Sequence, residues 1–382
     1  MLLVMEIVKR AKLLSSVFSY NKKVDVDLQL EIRPYSFTQV LGKKDIENLQ
    51  SLVPNSCFWK TADDKIQENT TFNYTIFTPK GLRKTDSAIV LLHGLNERNW
   101  SKYLTWAEYL CKYTNKAVIL FPIAFHMNRA PEYWCNPREL MPWVVKRKEH
   151  EIVTNSTFVN VALSYRLSET PLRFYIAGKE SIYNLWQLFD EIKNGLHPLF
   201  REDTSINIFA YSIGALISEA FMLANPDHLL DNTKLCMFCG GSIFSEMDGN
   251  ARDIMDNEAW GSVRNYFVNQ FVFDSVSPVC KDDFLDKSFK AMIRPDYMTE
   301  QREAFFEKRR DDIKILTLKS DTVMPTTGAE HAVGKRNKSI VEELDFPYPY
   351  SHQVPFPTNT KIECEVSQAF KNVFNKSASF LF

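Results

Sequence analysis

Five short apolar runs, alternating with longer helical stretches, constrain this chain more than any other feature. They are Ser87-Ala-Ile-Val-Leu-Leu-His93, Ala117-Val-Ile-Leu-Phe-Pro122, Ser205-Ile-Asn-Ile-Phe-Ala-Tyr211, Leu235-Cys-Met-Phe238 and Ile313-Lys-Ile-Leu-Thr-Leu318. Runs this short and this apolar are strands covered on both faces. Helical spacing fills Tyr103 to Tyr113, Ile213 to Leu223 and a closing stretch from Glu363 to Phe374. Thr71–Pro79 alternates as a half-exposed strand, and Ser339–Leu344 supplies the last one. The pattern predicts an α/β fold: a mainly parallel sheet with helices on both faces.

Composition narrows the class. The 382 residues carry 46 basic and 47 acidic side chains, a formal net charge of −1, which gives no global electrostatic case for nucleic acid. Disorder, collagen-like and coiled-coil readings fall away at 45% hydrophobic and 24% charged residues. No apolar run approaches the ~20 residues that cross a bilayer. The N-terminal stretch Met1 to Leu14 is too interrupted by charge for a secretory signal; its apolar residues 3, 4, 7, 8, 11 and 14 trace one helix face. A helix packed on its own domain is expected there, with docking on a membrane surface as the alternative. The cytoplasm is the default expectation. Seven cysteines, an odd number spread along the chain, do not form a disulfide framework. The close pair Cys236 and Cys239 lies in a core strand without the histidines or second pair of a zinc site, so no metal is expected.

Residues 20–70 are mixed and weakly patterned, and residues 1–70 read as an extension packed on the core. Residues 71–382 read as the main domain. Within it, about 127–180 and 245–310 are too long for single crossovers. Both are rich in aromatics such as Trp134, Trp143, Trp260 and Phe271, and read as insertions roofing a pocket at the carboxyl edge of the sheet.

Chemistry concentrates where buried strands end. Ala210-Tyr211-Ser212-Ile213-Gly214 puts a serine between a strand and a helix, flanked by small residues that permit a tight turn. The helix N-terminus turns amide N–H groups toward a developing anion. His93-Gly94-Leu95-Asn96 ends an earlier strand, Asp321 closes a later one ahead of Val323, Met324 and Pro325, and His352 lies in a loop before the final helix.

These four pieces, in this order, resemble the α/β-hydrolase superfamily, with Ala210 replacing the first glycine of its Gly-x-Ser-x-Gly nucleophile elbow. Within it, the chain looks most like an uncharacterised bacterial group. The resemblance implies a serine hydrolase with Ser212 as nucleophile, His352 as base and Asp321 as acid. It also implies an oxyanion hole from the N–H groups of Leu95 and Ile213. No cofactor is implied. The substrate would be a small acyl compound, an ester ahead of a thioester or amide. A peptidase or acyltransferase with the same triad, and a catalytically silent ligand- or partner-binding fold, are the competing readings; oligomeric state is open. His126 and Arg129 follow a strand near the elbow and would contact a substrate carboxylate or phosphate, with Trp134 forming a wall. The favoured reading is the structural one, in which Arg129 pairs with an acid of the insertion and His126 satisfies a loop carbonyl.

Overall fold

The computed structural model describes residues 7–54, 61–274, 283–358 and 360–382. Nine strands run through the described residues: β1 (Val24–Asp25), β2 (Leu30–Thr38), β3 (Thr71–Pro79), β4 (Thr85–Leu92), β5 (Ala117–Leu120), β6 (Phe200–Tyr211), β7 (Leu235–Phe238), β8 (Ile313–Leu318) and β9 (Val341–Leu344). They form one sheet in the order β1-β2-β3-β5-β4-β6-β7-β8-β9. From β5 to β9 the pairings are parallel, while β1, β2 and β3 join antiparallel. The fold is α/β, a mainly parallel sheet with helices on both faces.

The unbroken apolar character of β4 has a simple cause. Ala88, Val90 and Leu92 enter the core on one face, and Ile89 and Leu91 enter the core on the other. The first face is covered by the helices Leu172–Lys193, Ile213–Ala224 and Phe284–Ala291. The second is covered by Leu104–Thr114 and Glu363–Leu381. Neither face meets water, so neither needs polar residues.

The early residues contribute more than an outer layer. β2 pairs with β3 along its whole length, from Leu30 opposite Pro79 to Thr38 opposite Thr71. Its weak pattern has a structural reason: β1 covers just Ile32 and Glu31, so the outer edge beyond tolerates Pro34. The helix Ile7–Val17 buries Ile7, Val8 and Leu14, and Arg10 forms ion pairs with the fully buried Glu108 and with Asp27. Its described apolar face therefore meets protein. Among the described residues, no helix is long and apolar enough to cross a membrane.

The segments at 127–180 and 245–310 meet each other. Arg147, in the helix Pro137–Lys148, donates from Nη2 to Asp256 Oδ1 at 2.8 Å, and Asp256 caps the helix Asn257–Asn269. Asn96, just past β4, donates to the carbonyls of Val159 and Asp253, one from each segment, at 2.9 Å.

Candidate active site

The chain runs from β4 to β5 on one side and then returns to β6 on the other. The carboxyl ends of β4 and β6 therefore border a topological switch point, where open α/β sheets bind ligands. Leu92 pairs with Ala210, so the loop after β4 and the turn after β6 leave the sheet side by side.

Ser212 makes that second turn with φ 57° and ψ −124°, a conformation that a side chain rarely adopts. Its surroundings enforce it. A Cβ on Gly214 would stand 2.8 Å from Leu92 Cβ and 2.9 Å from the His93 carbonyl oxygen, so hydrogen alone fits. Ala210, by contrast, is accommodated inside the sheet between Leu92 and Met237.

Ser212 Oγ lies 2.7 Å from His352 Nε2, across 140 positions of sequence. His352 Nδ1 lies 2.7 Å from Asp321 Oδ2. The other oxygen, Asp321 Oδ1, accepts the N–H groups of Val323 and Met324, each at 2.9 Å. A carboxylate held this way has one oxygen left to orient the imidazole, putting the ring proton on Nδ1 and leaving Nε2 to accept from the serine. All three residues are buried, with at most 4% exposure.

The loop after β4 offers a free amide beside the serine. Gly94 N–H donates to Tyr103 Oη and Asn96 N–H donates to His126 Nε2, both at 2.9 Å. Between them, Leu95 N–H meets no acceptor among the described residues, and neither does Ile213 N–H at the start of its helix.

Several residues that sequence reasoning missed hold this arrangement. The Tyr103 hydroxyl accepts from Gly94 and donates to Glu97 at 2.9 Å. Glu97 also pairs with Lys102, whose ammonium donates to the Gln353 carbonyl at 3.0 Å and stands 4.7 Å from the Tyr211 ring. Tyr211 stacks on His352 and donates its hydroxyl to the His352 carbonyl. Tyr103, Glu97 and Lys102 are neighbours in sequence, but the Lys102 and Tyr211 contacts to Gln353 and His352 span 251 and 141 positions, which spacing does not reveal.

His126 and Arg129 spend their polar groups on structural contacts, and His126 also lines a small cavity with Leu95 and Ile213. Arg129 is fully buried and donates to the carbonyls of Pro122 at 3.0 Å and Asn69 at 2.9 Å, with Glu180 3.4 Å away. Its guanidinium lies over the Phe72 ring, and burial lowers its pKa to about 10. Both nitrogens of His126 are engaged by backbone, Nε2 by Asn96 and Nδ1 by the Ala124 carbonyl at 2.8 Å. Trp134 is buried against Phe125, with the Arg166 guanidinium over its ring. The physical reason is shared: the segment after β5 folds inward and spends its polar groups on the loops.

The sequence and fold were compared with known proteins. No curated protein matches. Among solved structures, carboxyl esterase 2 from the mycorrhizal fungus Tuber melanosporum aligns over 98% of this chain and 96% of its own, at 10% identity and a TM-score of 0.48. An esterase from Rhizomucor miehei aligns over 99% and 88%, at 12% identity and 0.47. The thermophilic carboxylesterase EstE1, cloned from a metagenomic library, aligns over 100% and 97%, at 10% identity and 0.42. Residues 5–382 match the model of a family of unknown function, DUF6051, so the match takes in the N-terminal helix, β1, β2 and both inserted segments, and the chain belongs to that family.

Proposed function

We propose that this protein is a serine hydrolase that cleaves a carboxylic ester through Ser212, His352 and Asp321. The observation that carries the reading is the pair of 2.7 Å contacts linking Ser212 Oγ to His352 and His352 to Asp321, with the serine in a strained turn. A hydroxyl is a poor nucleophile until a base takes its proton, and His352 Nε2 is placed to do so. As the Oγ–carbon bond forms, the carbonyl oxygen becomes an oxyanion that the N–H groups of Leu95 and Ile213 would hold. Asp321 stabilises the imidazolium. The carbon–oxygen bond to the alcohol then breaks, and the proton passes from Nε2 to the departing oxygen. Water, giving its proton to His352, attacks the acyl-enzyme; the acid leaves and Ser212 regains its proton. Side chains and backbone amides of this chain suffice for every step. The inserted segments at 127–180 and 245–310 would roof the site.

The strained serine and the free Leu95 amide favour this over a silent binding fold, which needs neither. The test is fluorophosphonate labelling with mass-spectrometric location of the adduct. The adduct is expected on Ser212, and is expected to vanish in Ser212→Ala and fall at least a hundredfold in rate in His352→Ala. A folded protein that takes no adduct would defeat the proposal.

A further inference from the structure

Two cavities lie beside the chain neighbours of the Ser212–His352 pair: Leu95 lines both, Gln353 lines the larger and Ile213 the smaller. The larger holds about 810 Å³, within the range of sites for sizeable organic ligands. Its lining includes Gln353 to Phe356, which directly follow His352, and Ile7, Val8 and Ala11 of the N-terminal helix, with Trp106 and Phe370. The smaller holds about 40 Å³ and is lined by Ile213, Leu216 and Ile217 of the helix that Ser212 begins, with Leu163, Phe174 and His126. Its two arginines, Arg166 and Arg173, are both paired with Asp63. At ~10–15 Å³ per water, the smaller space takes about three water-sized groups.

Acyl transfer dictates which half of an ester belongs to which cavity. The proton on His352 Nε2 must reach the leaving oxygen, so the alcohol lies on the histidine side. The carbonyl carbon is bonded to Ser212 and its oxygen faces the amides of Leu95 and Ile213, so the acyl chain continues past Ile213. We propose that the substrate is an ester of a short acyl group, about two to four carbons long, with a large, mainly apolar alcohol, and that the N-terminal helix forms a wall of the alcohol site. The assignment rests on the serine-hydrolase reading above. The helix is suited to a fixed wall, because Arg10 anchors it to the buried Glu108 and to Asp27.

Two isomeric esters separate the possibilities. Octyl acetate and ethyl octanoate are isomers that both release a primary alcohol, and they differ in which side of the ester carries the long chain. Octyl acetate is expected to have the higher kcat/KM by at least about tenfold, the value of a methylene or more in an apolar pocket. Ala11→Trp, at a half-buried position of the helix, is expected to lower kcat/KM for octyl acetate at least about tenfold relative to ethyl acetate. Leu163→Ala, which lengthens the small pocket, is expected to raise ethyl octanoate relative to octyl acetate. Fluorophosphonate labelling of Ser212 is run alongside. Labelling with equal rates, with ethyl octanoate preferred, or with neither ester cleaved overturns the substrate assignment and leaves the hydrolase reading standing. Absence of both labelling and cleavage overturns the hydrolase reading itself. An Ala11→Trp protein whose ratio is unchanged removes the helix from the alcohol site.

Discussion

The Asn96 amide donates to His126 Nε2 at 2.9 Å, and that bond requires a neutral imidazole with its proton on Nδ1. Burial, reinforced by the charges of Arg166 and Arg129 and opposed by the Ala124 carbonyl, brings the His126 pKa from 6.5 down to about 4. Asn96 directly follows Leu95, so His126 fixes the loop that presents the free Leu95 amide.

A pH dependence follows, and its sign is fixed. A histidine whose folded pKa is depressed contributes stability that is fully present above its ordinary pKa near 6.5 and is lost as pH falls toward 4. His197, also buried, is lowered to about 4 and acts in the same direction. The urea midpoint is expected to fall between about pH 6.5 and pH 4, and to fall less in His126→Gln, which keeps an acceptor without titrating there. Equal slopes in the two proteins would disconnect His126 from acid sensitivity.

Gly214→Ala is expected to destabilise the fold by about 1–3 kcal/mol, the ordinary cost of overpacking. The new Cβ would press on the His93 carbonyl and Leu92, both fixed in or beside β4. Because His93 precedes the Leu95 loop, fluorophosphonate labelling should slow as well. Ala210→Gly, within the sheet, should cost just ~0.5–1 kcal/mol in thermal melts.

Arg129→Met is expected to cost about 3–5 kcal/mol, since it strands two buried carbonyls and the carboxylate of Glu180. Arg129→Lys should rescue little, because a single ammonium does not reproduce a planar fork on two carbonyls. Chemical denaturation measures both. A variant with unchanged stability and a raised KM would return Arg129 to a substrate-binding role.

Asp256→Ala is expected to loosen the inserted segments. It removes the cap on Ala259 N–H and leaves the buried Arg147 without its bidentate partner, a loss of about 3–5 kcal/mol. Limited proteolysis should then cut within 127–180 or 245–310 before the sheet unfolds. Unchanged cleavage would show that other contacts hold the two segments together.

Two parts of the arrangement were legible as local patterns, while His352 was placed by its order along the chain and not by any local pattern. Ala210 to Gly214 is a single turn, so its small residues show what the turn excludes. Asp321 with Val323 and Met324 is likewise local, because the two amides that grip the carboxylate come from the very next residues. β2 was not legible, because Pro34 and the charged pair Glu31 and Arg33 break the apolar pattern of a strand whose partner lies some forty residues later. Which groups Arg129 meets was not legible for a related reason: the carbonyls of Pro122 and Asn69 and the carboxylate of Glu180 reach it through the fold.

The sequence by itself determined the layering and the order of the chemical groups, because burial on both faces writes itself as unbroken apolar runs and a tight turn demands small residues. The tertiary structure decided which groups meet. Ser212 and His352 are 140 positions apart, and their 2.7 Å contact exists because β6, β7, β8 and β9 lie in order and bring their carboxyl ends to one edge. It also decided that the Leu95 amide stays free while Tyr103 and His126 take its neighbours, and that the N-terminal helix borders a cavity beside His352. Hydrogen bonds and cavities depend on distance in space, and a sequence records distance along the chain.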